Sequence, residues 1–403
     1  AGRPEACFFI ERAVDLMARK ISIDPIEFRR RNAIQPGEFP YDNGAGFTYD
    51  GGNFPLLLDM LVNSSDYSGL LKSRSSAYKK FRQGEACVAG IGVCLEVEDT
   101  GAQLNETARI VLEKSGSVKI YTGSSPHGQG LETTLAQLCS EELGLPLDRV
   151  TVLWGDTALI PFGVGTFGSR SAATGGSSVV EAARKLKLEL ITNASKLLGE
   201  NPKLLEIKNG GIVKSSEPDH VLLTLSSILE KLNLDEISAA SDYKLGSLTF
   251  ASGAHLCALK LDTETGKLGI TKYVAVDDCG IVINEAIVDG QIHGGVVHGI
   301  GGSILEQLVY DEEAHLLSSN FLDYTIPSSL DSPNMEIFHL ETPSTIALNG
   351  AKGVGESGTI AAYPAVINAL NDAISQVVPG VELNSAPATP EVVLSVLKRR
   401  QSD

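Results

Sequence analysis

No Cys-x-x-Cys pair occurs in the 403 residues, and the six cysteines (Cys7, Cys87, Cys94, Cys139, Cys257, Cys279) are scattered through mostly apolar stretches. An iron–sulfur cluster needs clustered thiolates, so this spacing excludes a self-contained one. A disulfide framework is out of place in a chain of this size, and buried reduced thiols fit a cytoplasmic protein better. Long apolar runs are missing too. None approaches the roughly 20 residues that span a bilayer, and no charged segment leads into a hydrophobic one at the start, so neither a membrane span nor a secretory leader is expected. Positive charge is in short supply: 33 basic residues against 50 acidic ones give a net charge of −17. That balance disfavours nucleic acid as a partner. The basic end Lys398-Arg399-Arg400 reads as a solvated helix terminus.

What is present is an ordinary globular composition, 43% hydrophobic and 21% charged, long enough for two or three domains. Residues 1–6 read as the interior of a longer sequence and lead into a helical pattern. Phe8, Phe9, Ala13, Leu16 and Met17 fall as on one helix face. A Gly-, Pro- and Asn-rich stretch, 35–53, indicates a surface loop, and 54–80 reads as helical. Beyond residue 86 a weak duplication is visible. Strand signals at 110–112 and 118–121 flank a Ser115-Gly116 turn. They are followed by Gln129 and a helix with Leu131, Leu135, Leu138 and Cys139 on its apolar face, stopped by Gly144. Strand signals at 258–261 and 270–276 flank Thr265-Gly266. Gln291 follows, then a helix with Ile292, Val296, Ile300, Ile304 and Leu308 on one face. The expected fold is α+β with two duplicated lobes, a hairpin plus a Gly/Gln-headed helix in each, and helix starts that converge on one ligand. The alternative is chance similarity between two strand–helix units.

Three Gly-rich segments carry candidate chemistry. In Gly350-Ala351-Lys352-Gly353-Val354-Gly355-Glu356-Ser357-Gly358 a single carboxylate stands among glycines, ahead of an apolar run with helical spacing. Glycines allow close backbone approach, Ser357 is a candidate N-cap, and Pro364 limits where the regular helix begins. The dipole at a helix start favours an ionised Glu356, which suits a general base. In Gly128-Gln129-Gly130 the amide side chain offers paired donor and acceptor contacts to a pterin or nucleotide, or else caps the following helix. Gly165-Thr166-Phe167-Gly168-Ser169-Arg170-Ser171 combines amides, hydroxyls and one guanidinium, as a pyrophosphate cradle would; a flexible linker is the plainer reading. Lys352 either reaches a cofactor or is a surface charge. His127, His293 and His298 tempt a metal reading, but His293 and His298 at i, i+5 do not share a helix face.

Together these segments resemble the molybdenum hydroxylases, the xanthine dehydrogenase and aldehyde oxidoreductase family. The likeness is greatest to the large, molybdenum-binding chain of the carbon monoxide dehydrogenase-like group. Ala1-Gly2-Arg3-Pro4-Glu5-Ala6 is similar to the end of a longer A-Y-R-G-A-G-R-P-E-A stretch in that family, and Asn320-Phe321-Leu322-Asp323-Tyr324 with Pro327 is similar to another of its features. The resemblance implies duplicated molybdopterin-binding lobes at 86–250 and 251–403, preceded at 1–85 by the tail of a first molybdenum domain. It implies molybdenum held by molybdopterin cytosine dinucleotide, with no protein metal ligand. Glu356 is then the base, taking a proton from a hydroxyl ligand on molybdenum. Cofactor contacts fall on Gly2, Arg3, Gly128, Gln129, Gly130, Thr166, Phe167, Gly168, Ser169, Arg170, Ser171, Gln291, Lys352, Gly353, Val354 and Gly355. The partners implied are a chain carrying the N-terminal molybdenum domain, an FAD-binding subunit and a [2Fe-2S] subunit. The expected reaction is hydroxylation of an aldehyde or an N-heterocycle with oxygen from water. Carbon monoxide oxidation is less expected, because Ala1-Gly2 stands where a Cys-bearing loop would precede Arg3. A non-catalytic cofactor carrier is the reading from another class, and Glu356 argues against it.

Overall fold

The computed structural model describes residues 2–398 apart from 103, 104 and 161; Ala1 and the Arg399-Arg400 end lie outside the described residues. Two helices open it, α1 (Arg3–Lys20) and α2 (Pro25–Asn32), with the Asp24 side chain capping α2 through the amides of Ile26 and Glu27. A small ribbon of β1 (Tyr41–Asp42) and β2 (Thr48–Tyr49) occupies the Gly-rich stretch. The helical run expected at 54–80 divides into α3 (Phe54–Ser65) and α4 (Tyr67–Phe81). Asp66 takes a left-handed backbone there, ending one helix and capping the next through the amide of Gly69.

Then come β3 (Cys87–Thr100), β4 (Asn105–Glu113), β5 (Val118–Thr122), α5 (Leu131–Leu143), β6 (Val150–Leu153) and α6 (Gly176–Leu198). A small sheet of β7 (Leu205–Lys208), β8 (Gly211–Lys214) and β9 (Glu217–Thr224) precedes α7 (Leu225–Leu232) and β10 (Glu236–Lys244). The remainder is β11 (Thr249–Asp262), β12 (Leu268–Asp278), α8 (Glu285–Ile304), β13 (Met335–His339), α9 (Ser357–Val377) and α10 (Pro390–Lys398).

Two four-stranded sheets of the same design form the centre, ordered β10-β4-β5-β6 and β13-β12-β11-β3. In each, an antiparallel hairpin is followed by a helix and a parallel fourth strand. The hairpins turn where Gly116 and Gly266 supply positive φ. The outer strands are exchanged. β3 runs into β4 but pairs along its whole length with β11, while β10 runs into β11 but pairs with β4. A boundary at residue 250 therefore does not follow the sheets, because the backbone groups of 87–100 are satisfied by the second one.

Helices α5 and α6 cover the first sheet, burying Leu131, Leu135, Leu138 and Cys139 against Ile110, Leu112 and Ile120. Helices α8 and α9 cover the second. Gly92 lets α9 approach β3 backbone to backbone: a Cβ there would lie 2.1 Å from the Ala369 nitrogen.

Several expectations need correction. Residues 1–85 pack on the second sheet and its helices: α3 buries Leu57, Leu58 and Leu61 against β11 and β12, and α1 packs on α9. The face α1 buries is Phe8, Glu11, Arg12, Asp15 and Ala18, whereas Phe9 and Met17 are exposed. The polar members form ion pairs, Arg29 to Glu11 at 2.7 Å and Arg12 to Glu382 at 2.8 Å. Gln291 does not head its helix: Asn284 caps α8 and Gln291 lies within it. Leu308 is exposed beyond the end of α8. Helix α9 begins ahead of Pro364 and contains it, and Glu356, not Ser357, is its N-cap.

Candidate active site

Loops from both lobes meet around a cavity of about 420 Å³. Each lobe contributes the segment before its long covering helix, 165–171 ahead of α6 and 350–356 ahead of α9, together with residues at the start of α5 or α8. The two Gly-rich segments touch backbone to backbone. A Cβ on Gly353 would stand 2.1 Å from the Ser169 carbonyl oxygen, so this position needs a glycine. A π-helical turn, Ser171–Gly175, joins the first loop to α6.

Glu356 lines the cavity at the N-terminus of α9, where the helix dipole stabilises a carboxylate. Its Oε2 accepts from Ser169 Oγ at 3.3 Å. Ser169 also hydrogen-bonds Glu98, a residue of β3 with a side chain 0% exposed. Burial pushes the Glu98 carboxyl up to about 8, with Glu356 adding to the rise and Ser169 and Arg3 opposing it. Arg3 NH1 is 3.3 Å from Glu98 and its NH2 is 2.9 Å from Asp99. Behind this group Ser357 bridges Glu96 and Asp277, and Asp277 Oδ2 is 3.1 Å from His255 Nε2. Burial raises the Glu96 carboxyl well above its ordinary range.

Gln129 lines the cavity. Its Oε1 accepts from the His127 amide at 2.7 Å, while its Nε2 is buried without a partner. Gly128 and Gly130, both with positive φ, turn the chain there and are not themselves among the lining residues. Gln291 also lines it, with Asn284 and Ile287. Thr166 and Ser171 pair their hydroxyls at 2.9 Å on the cavity wall, next to Phe167 and Gly168. Gly353, Val354 and Gly355 complete the wall, and Gly2 lies off it. His127 is exposed beside the cavity, and His293 and His298 are exposed on α8.

Two of the expected cofactor residues border the cavity but direct their charged groups into the protein. The Arg170 guanidinium is 0% exposed and turned inward to Glu106 at 2.6 Å. It also donates to the carbonyls of Ala102, Asn105 and Gly165, so four of its five N–H donors are engaged within the protein. Lys352 is not a surface charge, and it borders the cavity. Its Nζ is buried, 3.0 Å from Thr342 Oγ1, 3.2 Å from the Gly51 carbonyl and 3.5 Å from Asp278. Both cations balance buried carboxylates, which the sequence motifs do not display.

Sequence reasoning missed Glu98, Glu106, Asn284 and the apolar wall of Cys279, Ile281, Ile283 and Ile287. A signal for Glu98 existed. In Leu95-Glu96-Val97-Glu98 the acids point inward and Val97 is exposed, an inverted strand pattern that marks buried function.

A two-lobed cavity with an acid at one helix start and an unpartnered amide at another defines a class of cofactor-binding enzyme domain. Residues 62–333 match a molybdopterin cofactor-binding domain, and residues 1–33 match another. The chain belongs to the molybdopterin cofactor-binding family of the molybdenum hydroxylases. It is 34% identical to the nicotine 6-hydroxylase large subunit of Paenarthrobacter nicotinovorans over 96% of this chain and 49% of that one. Reconstituted CO dehydrogenase from Oligotropha carboxidovorans superimposes with a TM-score of 0.92 at 30% identity, over 98% of this chain and 51% of that one. For quinoline 2-oxidoreductase from Pseudomonas putida 86 the TM-score is 0.89 at 30% identity, over 97% of this chain and 52% of that one. The chain thus spans about half the length of the relatives it matches.

Proposed function

We propose that this chain is the part of a multi-subunit molybdenum hydroxylase that carries the catalytic base and most of the cofactor site. The reaction is hydroxylation of an N-heterocycle or an aldehyde at an electrophilic carbon, with oxygen from water. The carrying observation is the Glu356 carboxylate on the wall of the cavity that Gln129 also lines, with its Nε2 buried and unpartnered. Relatives that act on nicotine and quinoline support the heterocycle arm.

The residues fit a pterin dinucleotide. Gln129 and Gln291 offer amide contacts from the two lobes, while backbone amides of 166–169 and 354–355 supply donors that need no cation; those of Arg170 and Gly353 are bonded to Phe167 and Thr100. When bound, the molybdenum cofactor supplies the two-electron acceptor. Glu356 removes the proton that must leave as the new bond to carbon forms, and Ser169 fixes the carboxylate for that task. Arg170 and Lys352 hold the two loops in shape. The cytosine dinucleotide form, cytoplasmic location and partner chains bearing FAD and [2Fe-2S] clusters belong to the same proposal. All six cysteines are free, and the one close pair, Cys7 and Cys94 with sulfurs 3.6 Å apart, has too few thiolates for an iron–sulfur cluster, so the proposal assigns the clusters to partner chains.

The test is the purified complex under anaerobic conditions, offered quinoline, benzaldehyde or carbon monoxide in turn. Stoichiometric molybdenum with reduction by the heterocycle or aldehyde is expected. Reduction by carbon monoxide alone favours the CO dehydrogenase-type alternative, and molybdenum without reduction by any of them favours a non-catalytic carrier.

A further inference from the structure

A serine hydroxyl carries one hydrogen. Ser169 Oγ stands against Glu98 Oε1 on one side and Glu356 Oε2 on the other. It can donate to one of these oxygens and must accept from the other, so one of the two carboxyls carries a proton. The surroundings decide which. Glu356 faces the cavity at a helix N-terminus, which favours the anion. Glu98 is fully buried on β3, and its Oε2 has no hydrogen-bond partner. Its one cation, Arg3, is shared with Asp99. The other charged or titratable groups facing it are Glu356 at the head of α9 and Glu96 along β3, with Asp277 of β12 beyond Glu96. Four carboxylates against one guanidinium make a buried anion at Glu98 costly. Ser169 itself is held at φ 48, a left-handed conformation that a non-glycine residue keeps only when its surroundings impose it.

We propose that Glu98 is a positioning residue for the base: it holds a proton at neutral pH and, through Ser169, orients the Glu356 carboxylate toward the cavity. The chain of donors runs Glu98 O–H to Ser169 Oγ, then Ser169 O–H to Glu356 Oε2. One proton is shared by the pair, and the oxygen left as acceptor is the one facing substrate. Ionisation of Glu98 reverses the serine, so that its hydrogen turns to Glu98 and Glu356 loses its anchor. The inference rests on Glu356 as the base and adds a reason why that carboxylate is held ready.

Infrared difference spectroscopy on the cofactor-loaded complex, titrated with pH, reads the proton directly. The parent complex is expected to lose one protonated-carboxyl carbonyl band with a midpoint near 8, the value to which burial pushes Glu98. Glu98→Gln keeps the shape and a donor toward Ser169; the band should vanish, and with it the break near pH 8 in the rate of reduction by substrate. A parent-like band in this variant, or an unchanged break, overturns the proposal. Should Glu98→Gln not assemble, Ser169→Ala decides. Removing a hydroxyl that stabilises ionised Glu98 should move the midpoint to higher pH, and an unmoved midpoint also overturns the proposal. Glu356→Gln separates the two claims. A parental reduction rate in that variant, with the Glu98 band still present in the parent complex, defeats the base assignment; slow reduction with no such band in the parent defeats the pairing.

Discussion

The guanidinium of Arg170 commits four of its five donors to Glu106 and to three backbone carbonyls. Arg170→Ala leaves Glu106 charged in the interior, an arrangement that typically costs about 3–5 kcal/mol. Chemical denaturation should show that loss, and molybdenum content should fall with it because the loop is no longer shaped. The double variant Arg170→Met with Glu106→Gln removes both charges and should recover stability and cofactor together; recovery of stability alone would return Arg170 to the phosphate. Glu98 makes a prediction of opposite character. Its folded-state pKa is raised from the usual 4.5 to about 8, so the stability gained by keeping it neutral is complete below 4.5 and is lost as pH rises through 8. The thermal midpoint should therefore drop between about pH 5 and 8 more steeply in the parent than in Glu98→Gln. Parallel curves would contradict this.

Among the elements, the two hairpins and α5 were legible because their signals are local: Gly116 and Gly266 turn the strands, and Gly144 ends the helix at φ 61. The exchange of β3 and β10 was not, because the partner of Cys87–Thr100 lies beyond residue 248 and no local pattern names it. Residue-level errors have the same origin. The motifs that bring Glu356, Gln129 and the Gly-rich loops to one cavity are short and local, whereas the inward turn of Arg170 depends on Glu106 and that of Lys352 on Asp278, far away in sequence. Helix α1 deceived because its buried stripe is polar and paired, the reverse of the usual amphipathic pattern. The loop contact yields its own test. Gly353→Ala puts a methyl group into the Ser169 carbonyl and must push the two lobes' loops apart. The rate of reduction by substrate should fall at least tenfold while the thermal midpoint changes little; a parental rate would mean that the contact does not position Glu356.

At the scale of the molecule, apolar side chains remain uncovered on α1, with Phe9 70% and Ile10 65% exposed, and on the segment after α8, with Phe321 82%, Leu322 93% and Leu330 95% exposed. Scattered exposed hydrophobes are ordinary, but runs of this kind mark contact surfaces. The proposed cover is another polypeptide of the complex. Expressed alone the chain should self-associate, and co-expression with its partner chains should slow amide exchange at 308–330; a monodisperse, cofactor-loaded monomer would contradict the idea. The central claim is narrower and rests on one carboxylate. Glu356→Gln preserves size and hydrogen bonding but removes the proton acceptor, a change typically worth about 10²- to 10⁴-fold. At full molybdenum occupancy, anaerobic reduction by substrate should slow by at least that lower figure while reoxidation by an external acceptor stays normal. A variant that keeps more than about a tenth of the parental reductive rate would remove Glu356 from catalysis.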